Sequence, residues 1–258
     1  MSEEKKNPSV MIATPMYGGM CTGHYVEGLL KTTAKMRAAN IPVFWAQIMN
    51  ESLIPRARNE LARVFLEGNC DYFMFIDADI GFGGDDVMRL LAADKDVVCG
   101  LYPKKEVNWD QVRKAAKEGK EDIQDYGGSF VVNFIGSQDA ETDADGVVEV
   151  RHGGTGFMLI KRGVFEALKE HVPTYRVSSH KDAENNYVKP LTHEFFATSI
   201  DGSGALLSED YHFCELVRKH GGNIYAHPFI KLAHVGTYVF GGDILKSGGK
   251  LIEVVSGS

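Results

Sequence analysis

Across 258 residues there is no run of about 18 uncharged apolar residues. The N-terminal segment Met1–Pro8 is polar and charged with no apolar stretch behind it. Neither a membrane-spanning helix nor a signal peptide is therefore expected, and the reading is of a soluble, cytoplasmic protein. Cysteine is scarce: Cys21, Cys70, Cys99 and Cys214 stand far apart with no C-x-x-C pair. That excludes a zinc ribbon and a disulfide framework, and buried thiols are expected. Basic residues are in deficit, 28 against 35 acidic ones for a net charge of −7. A surface built throughout to hold a polyanion is excluded. No internal repeat, low-complexity tract or composition break marks a linker, so residues 1–258 read as a single domain with a first half at 1–105 and a second at 106–258.

What is present is alternation. An apolar run, Val10 to Ala13, ends at Thr14-Pro15 and a Gly-rich turn from Gly18 to Gly23. Val26, Leu29, Leu30, Thr33 and Met36 then recur at helical spacing, and Ile41 to Met49 reads as a second strand. Pro55 opens a helix with Leu61, Val64 and Phe65 on one face, and Gly68 stops it before the strand Tyr72 to Ile76. A helix at about Asp85 to Leu91 leads to the strand Val97 to Cys99. This pattern predicts an α/β fold with a mostly parallel central sheet flanked by helices, ligands binding beyond the C-terminal strand ends. The loops after Ala13, Met49, Ile76 and Cys99 should share one rim. From Asn108 on, a charged helix at Trp109 to Lys117 and β segments at Phe130 to Ile135, Val147 to Val150 and Gly156 to Ile160 suggest an α+β second half. Ser178 to Asn186 and Ala197 to Ala205 read as loops.

D-x-D occurs three times, as Asp77-Ala78-Asp79, Asp94-Lys95-Asp96 and Asp143-Ala144-Asp145. Spacing alone does not separate them; position does. Asp77 and Asp79 follow a buried strand directly, on the rim where an α/β sheet binds ligands. Two carboxylates there either cap the next helix or hold a hard divalent cation whose remaining ligands are phosphate and water.

The strand ending in Asp77-Ala78-Asp79 resembles the D-x-D element of the GT-A glycosyltransferases, whose fold is Rossmann-like and whose substrates are nucleotide sugars. The resemblance extends over most of the chain and is nearest to bacterial and viral members. It implies that Thr14, Pro15 and Tyr17 line a base pocket, and that Arg56 and Asn59 in Ile54-Pro55-Arg56-Ala57-Arg58-Asn59 lie near the nucleotide. Asp77, Ala78 and Gly154, the last in Gly153-Gly154-Thr155-Gly156, would meet the donor. Ser208-Glu209-Asp210 is similar to the family's E-D pair at the head of a helix, which implies Asp210 as catalytic base with Glu209 second. Leu232-Ala233-His234-Val235-Gly236 is similar to the late strand whose His completes the metal site with Asp79, Asp77 assisting. The implied cofactor is Mn²⁺ or Mg²⁺.

The implied reaction is metal-dependent transfer of a hexose or pentose from a nucleoside diphosphate sugar, UDP-sugars favoured, to a hydroxyl acceptor. A soluble glycan is the first acceptor class. Modified nucleic acid is a minority class, for which Lys104, Lys105 and the charged helix would supply a basic face. Two other readings stay open: a nucleotidyltransferase making a nucleotide sugar, and a catalytically silent nucleotide- or sugar-binding module. Against the first, the Gly18 to Gly23 loop has no Lys or Arg to hold a triphosphate.

Overall fold

The structure is a computed structural model that describes residues 7–136, 141–177, 180–181, 187–188 and 190–244. Eight strands form the central sheet: β1 (Val10–Met16), β2 (Val43–Met49), β3 (Tyr72–Ile76), β4 (Val97–Gly100), β5 (Val132–Phe134), β6 (Val148–Gly153), β7 (Phe157–Lys161) and β8 (Ile224–His227). Their order is β2-β1-β3-β7-β4-β8-β6-β5. β1 pairs in parallel with both β2 and β3, and β4 with β8. β6 and β7 run against the rest and enter from the second half of the chain. The sheet is thus mostly parallel in strand direction, with helices on both faces. The helices are α1 (Gly23–Ala38), α2 (Ile54–Glu67), α3 (Asp86–Ala92), α4 (Trp109–Lys117), α5 (Arg162–Leu168) and α6 (Glu209–Lys219). Among the described residues no helix is long and apolar enough to cross a membrane.

β3 shows how the sequence sets the two cores. Side chains alternate along a strand, so Phe73 and Phe75 enter one face and Met74 and Ile76 the other. Phe73 and Phe75 pack with Leu61, Phe65, Phe165 and Phe213 of α2, α5 and α6. Met74 and Ile76 pack with Tyr25, Met36, Val87 and Leu90 of α1 and α3. Continued past the strand end, the same alternation puts Asp77 on the α2 and α6 side.

Several expectations need correction. The inner face of α2 is Leu61, Ala62 and Phe65, whereas Val64 is 38% exposed. Within Ala197 to Ala205, Ser199–Ile200 pairs with Leu206–Leu207 in an antiparallel hairpin, because Asp201 caps a tight turn with Ser203 and Ala205. Of Ser178 to Asn186, residues 178–179 and 182–186 lie outside the described residues, and 180–181 pairs with 187–188. The strand Ala233–Val235 joins a separate three-stranded sheet with Ile80–Gly81 and Val239–Gly241.

At the end of β6 and in the turn after it the backbone passes under the Cys99 and Tyr102 side chains. A Cβ on Gly153 would lie 2.4 Å from the Cys99 sulfur, and one on Gly154 only 2.1 Å from the Tyr102 hydroxyl. Gly153→Ala is therefore expected to cost about 1–3 kcal/mol of overpacking. Urea denaturation measures this, and an unchanged midpoint would show that Cys99 can yield.

Candidate functional site

The loops after β1, β2 and β3 enclose an open cavity of about 400 Å³ lined by Pro15, Tyr17, Glu51, Asp77, Ala78 and Asp79 among others. The loop after β4 reaches it through Lys105, whose ammonium lies 2.5 Å from an Asp79 carboxylate oxygen. All four predicted loops therefore meet on one rim. Tyr17 and Met20 are 72% and 71% exposed, giving this rim an apolar wall.

Asp77 is held from below. Arg58 donates both terminal nitrogens to its two carboxylate oxygens at 3.0 Å each, and its Nε to Glu209 Oε1 at 3.1 Å. The guanidinium carbon lies 4.9 Å from the centre of the Phe75 ring. Arg58 is 4% exposed, Asp77 24% and Glu209 14%. Burial opposes the charge on Arg58, but the two carboxylates outweigh it and hold the guanidinium protonated more firmly than usual. One buried arginine thus ties the strand-end acid to the head of α6. On α2 it continues the stripe of Leu61, Ala62 and Phe65, and a charge on an apolar stripe was the signal in the sequence. The arginine that holds Asp77 is Arg58, not Arg56. Arg56 pairs instead with Glu51, at 2.6 and 2.7 Å, and Glu51 lines the cavity.

Asp79 faces two basic side chains. Lys105 holds one oxygen, and His234 Nε2 lies 3.5 Å from the other. The His234 Nδ1 is 2.9 Å from the Pro103 carbonyl, to which Nδ1–H donates, and this holds the ring with its Nε2 edge toward Asp79. Burial would raise the Asp79 carboxyl, but His234 and Lys105 outweigh it and hold it below the ordinary carboxylate range. Among the described residues no group of three or more His, Cys, Asp or Glu is set to hold a metal. A cation here would take Asp79 and His234 and draw the rest of its shell from substrate oxygens and water, as Mg²⁺ does at phosphate sites. The donor set fits that role, with Lys105 moving off Asp79. Asp77, both oxygens committed to Arg58, would act from the second layer.

Asp210 lies at the start of α6, one oxygen accepting from Ser208 Oγ and from the Tyr211 amide at 2.8 Å. It is 9% exposed. Burial is the leading cause that pushes its carboxyl up, Ser208 opposes it, and Glu209 adds to it. The other two D-x-D pairs are matched by lysines: Lys95 bridges Asp143 and Asp145 at 2.8 Å each, and Lys161 bridges Asp94 and Asp96 at 3.1 and 3.2 Å.

Other predicted contacts are spent elsewhere. Thr14 is buried beneath the cavity, its hydroxyl 2.6 Å from that of Tyr25 and 3.2 Å from the Trp45 indole nitrogen. The Asn59 amide brackets the Phe196 backbone at 3.0 and 2.8 Å. Gly154 makes room for Tyr102, whose hydroxyl accepts from the Gly156 amide at 3.0 Å. Cys70, Cys99 and Cys214 are buried, but Cys21 is exposed and lines the cavity.

The sequence matches no protein-family model, and no curated protein matches it. Solved structures to which the chain is similar include the catalytic domain of Drosophila β1,4-galactosyltransferase 7 in complex with xylobiose, at 13% identity and a TM-score of 0.41 over 92% of this chain and 71% of that one. S. aureus TarS 1–349 in complex with UDP-GlcNAc is similar at 10% identity and a TM-score of 0.43, over 97% of this chain and 60% of that one. The inositol-1-phosphate CTP transferase of T. maritima is similar at 8% and 0.38, over 89% of each chain. Likenesses this slight decide neither substrate nor reaction.

Two outcomes are expected. Arg58→Ala leaves two carboxylates facing each other without their cation and should lower stability by about 3–5 kcal/mol, with Arg58→Lys recovering only part. Asp210 has a folded pKa above its unfolded one, so it stabilises below the ordinary carboxylate range and that contribution is lost as pH rises through the raised value. Asp210→Asn should therefore be at least as stable as the parent at pH 7, with the difference vanishing in acid. Urea denaturation against pH tests both, and a marked loss for Asp210→Asn at pH 7 would show that the fold prefers the charged carboxylate.

Proposed function

We propose that the protein is a metal-dependent glycosyltransferase that takes a nucleoside diphosphate sugar, a UDP-sugar first, and passes the sugar to a hydroxyl. The observation that carries this reading is the pairing of Asp79 with His234 at the mouth of a cavity walled by the β1 and β2 loops. Tyr17 and Pro15 line the same cavity as Asp79 and would flank the base of a nucleotide whose diphosphate lay at Asp79. Mn²⁺ or Mg²⁺, held by Asp79 and His234, would supply positive charge against the diphosphate as the anomeric C–O bond breaks.

The chain's own residues do the rest. Lys105 pairs with Asp79 and would be freed toward a phosphate oxygen if a cation took that carboxylate. Arg58 fixes Asp77 so that the rim keeps its shape when the cation binds. Glu209 is committed to Arg58 and acts as a positioning residue. Asp210, with one oxygen engaged and its proton affinity raised by burial, accepts the acceptor's hydroxyl proton if the reaction inverts configuration.

Incubation with a panel of UDP-, GDP- and dTDP-sugars and Mn²⁺ should release nucleoside diphosphate from one donor. Asp79→Ala should reduce that turnover by on the order of 10²–10³-fold, and Asp210→Asn should cut transfer while leaving donor binding intact. Release of pyrophosphate from a nucleoside triphosphate would assign nucleotidyl transfer instead. Metal-dependent nucleotide binding without turnover across the panel would assign a binding module.

A further inference from the structure

We infer that β2, at the edge of the central sheet, pairs with β2 of a second copy of this chain, so that two sheets join into one across a two-fold axis. This pairing does not depend on the glycosyl-transfer reading. β2 ends the strand order, with β1 as its partner in the sheet. An edge strand presents a row of unpaired backbone groups, and proteins ordinarily guard it with a charge, a bulge or brevity. The opposite edge is guarded in that way: β5 is three residues long, and its register against β6 shifts between Asn133 and Phe134. β2 has no such guard. It runs for seven residues in unbroken register with β1, and from Ile41 to Asn50 there is no charged residue.

The backbone bonds to β1 fix which groups are left over. The Val10 amide donates to the Pro42 carbonyl at 2.9 Å, and the Asn50 amide to the Met16 carbonyl at 3.4 Å. A strand residue turns its N–H and C=O to the same side, so the even-numbered residues of β2 face β1 while Val43, Trp45, Gln47 and Met49 face outward. Among the described residues no strand or side chain takes up these outward groups. Phe44, Trp45 and Met49 are 58%, 46% and 56% exposed. The Trp45 indole nitrogen is already spent on Thr14 and Tyr25, at 3.2 and 3.0 Å, so what it leaves in water is apolar ring.

The strand complements itself, and this selects the partner. With the two strands antiparallel about an axis through Ala46, Val43 lies opposite the partner's Met49 and Trp45 opposite the partner's Gln47. All four outward residues of each strand then stand in hydrogen-bonded pairs, and any other register leaves some of them unpaired. On the other face Phe44 covers the partner's Ile48, a partly buried residue packed on the core beneath it. Three exposed apolar side chains are covered, and neither strand brings a charge to the axis. The cavity beside Asp79, lined by Glu51 and Ser52, lies at the C-terminal end of β2, so the axis places the two cavities at opposite ends of the joined sheet.

The test is sedimentation equilibrium of the full chain from about 1 to about 200 µM. One strand pair is a small interface, so the mass should rise from one chain toward two, with half-association on the order of 10 µM. Gln47→Pro removes one outward N–H and leaves the bonds to β1, at an edge position where proline is tolerated. It should remain a single chain at every concentration, with its circular dichroism as in the parent. Cys21→Ser combined with Ala46→Cys tests the register, because the two copies of Ala46 would face each other in a non-hydrogen-bonded pair, about 4.5 Å between Cα atoms and within disulfide reach. Mild oxidation should link this protein into a dimer at least about tenfold faster than Cys21→Ser combined with Phe44→Cys, whose thiols would lie on opposite sides of the axis. A parent that stays a single chain throughout overturns the inference. So does a dimer that persists in Gln47→Pro, or one that links no faster through Ala46→Cys than through Phe44→Cys. Should Gln47→Pro fail to fold, the parent's association and the two linking rates decide by themselves.

Discussion

The site depends on one buried cation. Arg58 must be charged to satisfy Asp77 and Glu209, and they must be charged to justify its burial, so the three residues stabilise one another or none of them is tolerable. Because the guanidinium also lies over Phe75, the arrangement is fixed by the same core that fixes β3. The consequence reaches across the molecule: the end of β3, the start of α2 and the head of α6 cannot move independently. A ligand that meets the rim meets a preorganised surface, which is the condition for electrostatic stabilisation without reorganisation at the moment of reaction.

Asp79 is the contrasting acid. It faces solvent more than Asp77 does and is balanced by Lys105, a flexible side chain on a loop, and by His234, whose orientation is set by the Pro103 carbonyl. A fixed acid beside an exchangeable one suits a site that keeps its frame while a cation and a diphosphate come and go. Under the proposed function Lys105 could give way because a phosphate would make good its lost contact, whereas Arg58 has no such substitute.

Most of the frame is legible in the sequence because it is written in short-range patterns. The strands and helices of the first half follow from apolar runs and 3.6-residue spacing, and the α4 range, Trp109–Lys117, is found as read. The choice of Asp77 and Asp79 over two other D-x-D pairs follows from the strand before them; all three pairs are met by basic side chains, and it is the place at the end of β3, on the cavity, that sets the first apart. What the sequence hides is long-range. That Thr14 is spent on Tyr25 and Trp45, and Asn59 on Phe196, depends on segments 31 and 137 residues away. The glycines at 153 and 154 read as room for a ligand, but the space above them is filled by Cys99 and Tyr102, side chains that no local pattern places there. The choice between Arg56 and Arg58 was open to a closer reading, since only Arg58 lies on the apolar stripe of α2.

Cys21 reports on whether the cavity beside Asp79 takes a nucleoside diphosphate with a divalent cation, as proposed. It is exposed in the cavity wall while the other three cysteines are buried, so a thiol reagent applied to the folded protein reports on this place. The rate of Cys21 modification should fall by about tenfold or more when a nucleoside diphosphate and Mn²⁺ are present together, should fall little with either alone, and should lose this protection in Asp79→Ala. An unchanged rate with every diphosphate and Mn²⁺ would contradict the account and leave the acids at the end of β3 with a structural role only.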